Sequence, residues 1–321
     1  MKRLVSRARS NYWVVLVVRS LAVAFIVATV AFSILRLAPG DPVATILGDQ
    51  ATPEAVARLR SQLGLDGNLL QQYLAFIGGL FQGDLGVSVT SRVPVVTIIV
   101  NSIGPTLALI AVSSVIGFLV SVPLGLFLAL RPRSVLTKSV NFVSTLSLST
   151  PGFYLGLLAL MLFAVALGIA PVAGYDPSFP GMLRYLWLPA LVVCGQLIPV
   201  LSRVFRTSVQ RTLGEEFTEA AIVRGIPRWR YYVHYLVRPS LAPTIALLGY
   251  VAGQLLSSAV MIEMVFGFPG IGTQLVRAVS TRDYPTVQGI VLVFGVFVVL
   301  ITALSEAVST RIDHRIGRET P

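Results

Sequence analysis

The side chains able to act as acids, bases, nucleophiles or metal ligands are few in this sequence, and their spacing limits what they do. Two histidines occur in 321 residues, His234 and His314, far apart and outside any His-Glu-x-x-His pattern. A zinc peptidase site has no ligand set here. Neither Gly-x-Ser-x-Gly nor Gly-x-x-x-x-Gly-Lys-Ser/Thr occurs, so the nucleophile elbow of a serine hydrolase and the phosphate-cradling loop of an ATPase are both missing from the sequence. Cys194 is the single cysteine and lies in an apolar run, which suits packing and leaves no disulfide framework or metal cluster. Glu263 is a carboxylate inside an otherwise uninterrupted apolar run. It belongs either to a functional site or to the turn Gly267-Phe268-Pro269-Gly270-Ile271-Gly272 just beyond it, which its position a few residues from the end of the run allows. The expectation is therefore no catalytic residue and no metal.

Recognition of another protein is the chemistry that the stretch from Thr212 to Gly225 offers. Thr212 and Glu215 have capping-box spacing, Glu215 and Glu216 suit a helix N-terminus, Arg224 suits the last turn, and Gly225 supplies a left-handed stop. That predicts a helix of about ten residues, roughly 15 Å long. Phe217, Ala220, Ala221 and Arg224 fall on one side at helical spacing, a face of small residues around one aromatic. Such a face lets a second backbone approach closely, although an amphipathic loop helix without a partner shows the same pattern.

The elements around this stretch are membrane spans. The chain is 55% hydrophobic and 12% charged, with mean hydropathy +0.81, and its apolar residues come in long runs. This is an all-α polytopic membrane protein. The net charge of +11 is dispersed around the apolar runs rather than gathered in a basic domain, so it marks membrane orientation and not nucleic-acid binding. The basic start, Met1-Lys2-Arg3 to Arg9, precedes a long apolar stretch without a small-x-small cleavage pattern and reads as a retained signal anchor.

Residues 1–19 are expected as an N-terminal interfacial helix, 20–37 as the first span, 38–101 as an external segment, and 102–321 as the membrane core with a loop at 206–238. The external segment should hold two amphipathic helices, one opened by Thr52-Pro53-Glu54 and stopped by Gly64, the other over 69–81. Further spans are expected near 103–130, 139–169, 185–205, 240–266 and 287–308, with Pro105 and Pro123 kinking the first of these. The polar, breakable stretch Ser144 to Gly152 should face protein or a cavity rather than lipid. Arginines and lysines near residues 2–19, 131–138, 203–238 and 311–318 put both termini and the Glu219 loop in the cytoplasm. Ser147, Ser149, Gln254, Ser258 and Glu263 are candidates for a pathway or gate. Interhelical hydrogen bonding is the other reading for Gln196, Gln254, Ser257 and Ser258.

The run Glu219-Ala220-Ala221-x-x-x-Gly225, with Pro243 a helix and turn downstream, resembles the EAA loop of ATP-binding-cassette importer permeases. Further islands resemble the dipeptide/oligopeptide/nickel subgroup over nearly the full length. They are Leu37 to Pro42, Leu63 to Asp66 with Gln72-Tyr73, Gly83 to Ser88, Glu263 to Gly272, and Arg282-Asp283-Tyr284-Pro285 with Val287-Gln288-Gly289. Pro239, where a helix-compatible residue is more usual, and a longer N-terminus depart from that subgroup.

The resemblance implies a type I importer fold with six spans in a bacterial inner membrane. It implies a second homologous permease, making a heterodimer, with two ATP-binding subunits carrying ATP and magnesium, and an external solute-binding protein; no cofactor is bound by this chain. Glu215, Glu216, Phe217, Glu219, Ala220, Ala221, Arg224 and Gly225 would couple to the ATPase, and Phe268, Pro269, Gly270, Asp283 and Tyr284 would form an external loop. Short peptides are the expected solute, with nickel chelates or another small solute the alternative on the same scaffold. A secondary transporter, the rival from another class, would need acidic residues near mid-membrane, and Glu263 lies near an edge.

Overall fold

The computed structural model describes residues 18–33, 43, 47, 52–62 and 64–312. Of the expected interfacial helix only Val18 and Arg19 fall among them, and the island Leu37 to Pro42 lies outside. The helices are α1 (Val18–Ser33), α2 (Pro53–Gln62), α3 (Leu69–Phe81), α4 (Val95–Leu130) and α5 (Val135–Ser149). They continue with α6 (Gly152–Ala166), α7 (Gly181–Leu213), α8 (Glu216–Val223), α9 (Arg228–Val265), α10 (Ile271–Ser280) and α11 (Tyr284–Ile312). Among the described residues α4, α7, α9 and α11 are long and apolar enough to cross a membrane, and α5 with α6 forms a broken pair bent by 106°. The described part of α1 is apolar but shorter.

The span expected near 139–169 is thus two helices. Thr150 leaves helical geometry ahead of Pro151, as a residue before proline tends to, and Pro151 opens α6. Other helices outrun the spans read from hydropathy, because a helix ends where its backbone finds a cap and not where lipid ends. α4 starts at Val95 rather than near 103, with the Pro94 carbonyl accepting from the Thr97 amide at 3.0 Å. α9 starts at Arg228 rather than 240, and its turns widen to π geometry over Tyr231–Val237. The Arg238 amide there donates to the Val233 carbonyl, so Pro239, which has no amide hydrogen, falls at the change from π to α bonding.

The chain divides into two compact units, with breaks after Gly104, Pro269 and Leu300. The first holds α1 to α3, the start of α4, α10 and most of α11. Asn68 caps α3 in a reciprocal box with Gln71, and the Gln72 side chain donates to the Leu65 carbonyl at 2.9 Å, tying the helix to the turn before it. Tyr73 from α3 packs edge-on to Phe32 at 5.1 Å, and its hydroxyl lies 2.9 Å from that of Thr29. Val95, Ile99, Ile271 and Ile290 form a buried cluster between α4, α10 and α11.

In the second unit α7 is the central helix, with 61% of its apolar window buried, the highest share of the long helices. Phe205 and Val209 pack on Ala129 of α4, with Val237 and Leu241 of α9 around them. Gly125 makes this approach possible: a Cβ there would stand 2.8 Å from the Ser202 carbonyl oxygen. Pro199 deprives the Gly195 carbonyl of its helical donor, and the Ser147 hydroxyl of α5 supplies one at 2.6 Å. In the other direction the Gln196 side chain donates to the Thr150 carbonyl at 3.1 Å. Two bonds therefore fasten the α5–α6 break to the proline turn of α7.

Candidate coupling site

α7 ends at Leu213, and the Gly214 and Glu215 amides bond back to the Arg211 and Thr212 carbonyls at 3.1 and 3.2 Å. Thr212 is accordingly not the cap of the next helix, contrary to the capping-box spacing. α7 keeps its own hydrogen bonding through that position, so the Thr212 hydroxyl turns back to the Ser208 carbonyl at 3.0 Å and meets Ser240 at 3.1 Å. α8 begins instead after Glu215, whose side chain makes no capping bond. The buried Thr218 hydroxyl secures the start from inside, 2.6 Å from the Glu215 carbonyl that it faces and 3.2 Å from those of Thr212 and Leu213.

The other end is a Schellman stop. The Ile226 amide donates to the Ala221 carbonyl at 3.2 Å and the Gly225 amide to that of Ile222 at 2.9 Å, with Gly225 at φ +65°. The eight-residue α8 is thus fixed at both ends.

Burial splits the face drawn from helical spacing. Ala221 is 2% exposed, and Phe217 is half-buried with its ring 6.5 Å from Tyr235. With Thr218 they seat α8 on its own chain. Ala220 and Arg224 point outward with Glu216, Glu219, Ile222 and Val223, the last 87% exposed. Ala221 is therefore buried within its own chain, and Ile222 and Val223 add exposed apolar surface that the small-residue spacing did not point to. Their signal was present: two aliphatic side chains next to Arg224 in a short loop helix.

The polar residues singled out within the spans separate in the same way. Ser147 is half-buried in its bond to Gly195. Glu263 is fully buried, its carboxylate accepting from the Thr106 hydroxyl and its carbonyl from the Phe268 amide at 2.8 Å. The acid thus stands between α4 and the turn after α9. Ser149, Gln254 and Ser258 are exposed, and Gln254 donates to the Tyr250 hydroxyl at 2.8 Å. Phe268 is buried against Tyr175 at 5.0 Å, Pro269 is exposed, and Gly270 starts α10.

Asp283 is a hub within the first unit, 4% exposed. Its carboxylate accepts from the Ser88 hydroxyl at 2.5 Å, the Val89 amide at 3.1 Å and the Thr286 hydroxyl at 2.9 Å. Tyr284 packs in a small cluster around Val43. Of its partners Thr286, three residues on, is the one that sequence spacing suggests, whereas Ser88 lies 195 residues away. No group of His, Cys, Asp and Glu with metal-binding proximity occurs among the described residues.

Long apolar helices joined by short connections, one of them a loop helix with an outward apolar face, define a multi-pass membrane protein. The chain belongs to the family described as binding-protein-dependent transport system inner membrane component, whose model matches residues 121–318, with the N-terminal model of the same systems matching residues 11–111. It is 36% identical over 293 residues to a Brucella suis protein named as a peptide permease, covering 89% of this chain and 92% of that one. It is 30% identical over 315 residues to the dipeptide transport system permease protein DppB of Escherichia coli K12, covering 88% and 93%. A crystal structure of an amino acid ABC transporter with histidines aligns at TM-score 0.48 and 18% identity, over 67% of this chain and 94% of that one.

Proposed function

We propose that this chain is the permease subunit of an ATP-driven importer of short peptides and that α8 is the helix through which ATPase subunits move it. The observation that carries this reading is the outward face of α8: Ala220, Ile222 and Val223, rimmed by Glu216, Glu219 and Arg224, on a helix fastened at both ends. A rigid lever transmits displacement where a frayed loop would absorb it. The peptide class is supported by the names of the relatives in Brucella suis and Escherichia coli.

In this reading both termini and α8 face the cytoplasm, ATP and magnesium sit on the partner subunits, and a second permease completes the pathway. Contacts that differ between the ATPase states drive the inward-to-outward change. Exposed Gln254, Ser258 and Ser149 are the pathway candidates, while Ser147 and Glu263 hold helices together. The test is affinity purification of the tagged chain in mild detergent with an ATPase assay on what accompanies it. Recovery with a second permease and ATPase proteins supports the reading; a lone chain carrying ion-gradient-driven flux defeats it.

A further inference from the structure

A cavity of about 40 Å3 opens in the second unit between α4, α5 and α7, with Leu128 of α4 on one wall. α7 lines it with Pro199, Ser202, Arg203 and Arg206, and α5 with Asn141 and Ser144. The α7 positions follow i, i+3, i+4, i+7 spacing and so share one face. The α4, α5 and α7 helices contain no Asp or Glu at all, so no wall of the cavity brings a counter-charge to the two guanidinium groups. Among the described residues neither arginine has a carboxylate within ion-pair reach. The Ser202 hydroxyl already donates to the Pro199 carbonyl at 3.3 Å, which leaves Arg203, Arg206, Asn141 and Ser144 as the donor-bearing side chains lining this space. Two neighbouring guanidinium groups with no internal anion, one exposed and one half-buried, are open to an anion arriving from outside.

The surroundings say which anion. Arg131, Arg133 and Lys138, all exposed, lie in the connection from α4 to α5 and the first turn of α5. On α5 beside the cavity, Phe142, Val143 and Leu146 are 71%, 61% and 59% exposed. Cationic donors at a helix end next to open apolar surface match a lipid, with its phosphate on one part and its acyl chains on the other. The cavity holds a group the size of one oxyanion and not a peptide. About 10 Å of helix separates Arg206 from Leu213, so an occupant would brace α5 against α7 just above the loop that carries α8.

We propose that this cavity is an oxyanion site occupied by the phosphate of an anionic phospholipid. The guanidinium groups of Arg203 and Arg206 make charge-assisted bonds to it, and Asn141 and Ser144 complete the donor set. Inorganic phosphate and the carboxylate of a translocated solute share the oxyanion chemistry, and the test separates them.

The complete complex, stripped of lipid in detergent, is followed by thermal unfolding with added phosphatidylglycerol, phosphatidylcholine, inorganic phosphate or a dipeptide. Phosphatidylglycerol should raise Tm by a few degrees, well beyond phosphatidylcholine. Arg203→Gln with Arg206→Gln should lose that shift, and Arg203→Lys with Arg206→Lys should keep most of it. If the glutamine variant does not assemble, Ser144→Asp serves instead: its carboxylate pairs with the arginines and should abolish the lipid shift in a folded complex. A phosphatidylglycerol shift unchanged in either variant overturns the proposal, as does a shift produced only by inorganic phosphate or dipeptide. The measurement reads lipid binding rather than uptake, so its failure leaves the importer reading standing.

Discussion

The Ser147 hydroxyl donates at 2.6 Å to the Gly195 carbonyl, the acceptor that Pro199 leaves without its donor. Ser147→Ala should therefore cost about 1 kcal/mol, the scale of one interhelical hydrogen bond in a membrane protein. In a Pro199→Ala background the same change should cost less, because residue 199 then offers its own amide to Gly195. Thermal unfolding of the four variants of this cycle measures the coupling; equal costs in both backgrounds would show that the serine is not serving the proline.

Ala220 and Ala221 are neighbours with opposite exposure, and arginine substitutions should separate them. Ala221→Arg pushes a cation into the seat of α8 and should lower stability and yield of the chain. Ala220→Arg should leave the chain folded in the membrane while ATPase subunits no longer copurify. Val223→Asp should act like Ala220→Arg. Full recovery of ATPase with Ala220→Arg removes the docking face from consideration.

Gly225 sits at φ +65° and donates its amide to Ile222. Gly225→Ala should cost about 1 kcal/mol and fray the end of α8. Gly225→Pro demands a φ of opposite sign and removes the donor, so it should cost more and uncouple ATP hydrolysis from uptake. Amide exchange across residues 216–226, compared with the ratio of ATP hydrolysed to solute taken up, reads both effects.

Asp283 collects donors from Ser88, Val89 and Thr286 while nearly fully buried. Asp283→Ala strands those donors and should destabilise the first unit by about 2–3 kcal/mol. Trypsin offers a direct readout, since exposed Arg92 lies in the loop that Asp283 holds. Cleavage after Arg92 should be much faster in the variant, and an unchanged rate would mean that the loop is held elsewhere.

Much was legible in the residues because it rests on local chemistry. Composition identified a polytopic helical membrane chain, the helix expected over 69–81 is α3 and Gly225 stopped α8, while the stretch Ser144 to Gly152, expected to be breakable inside one span, is where Pro151 divides it in two. Each depends on a few adjacent residues: an amide needing an acceptor, a φ only glycine reaches readily, a ring without a donor. The islands around Glu219 and Glu263 carried the family in the same way.

Tertiary structure decided what each polar or small side chain touches. Spacing placed Ala220 and Ala221 together, but the seat formed by Thr218 and Tyr235 chose which faces outward. Thr212 had the spacing of a cap, yet it belongs to α7 because that helix keeps its hydrogen bonds to Leu213. Ser147 and Glu263 looked equally suited to a pathway, and their partners, Gly195 and Thr106, lie 48 and 157 residues away. A sequence states which donors and acceptors exist, whereas the pairing of buried ones is settled only when helices distant in the chain are brought into contact.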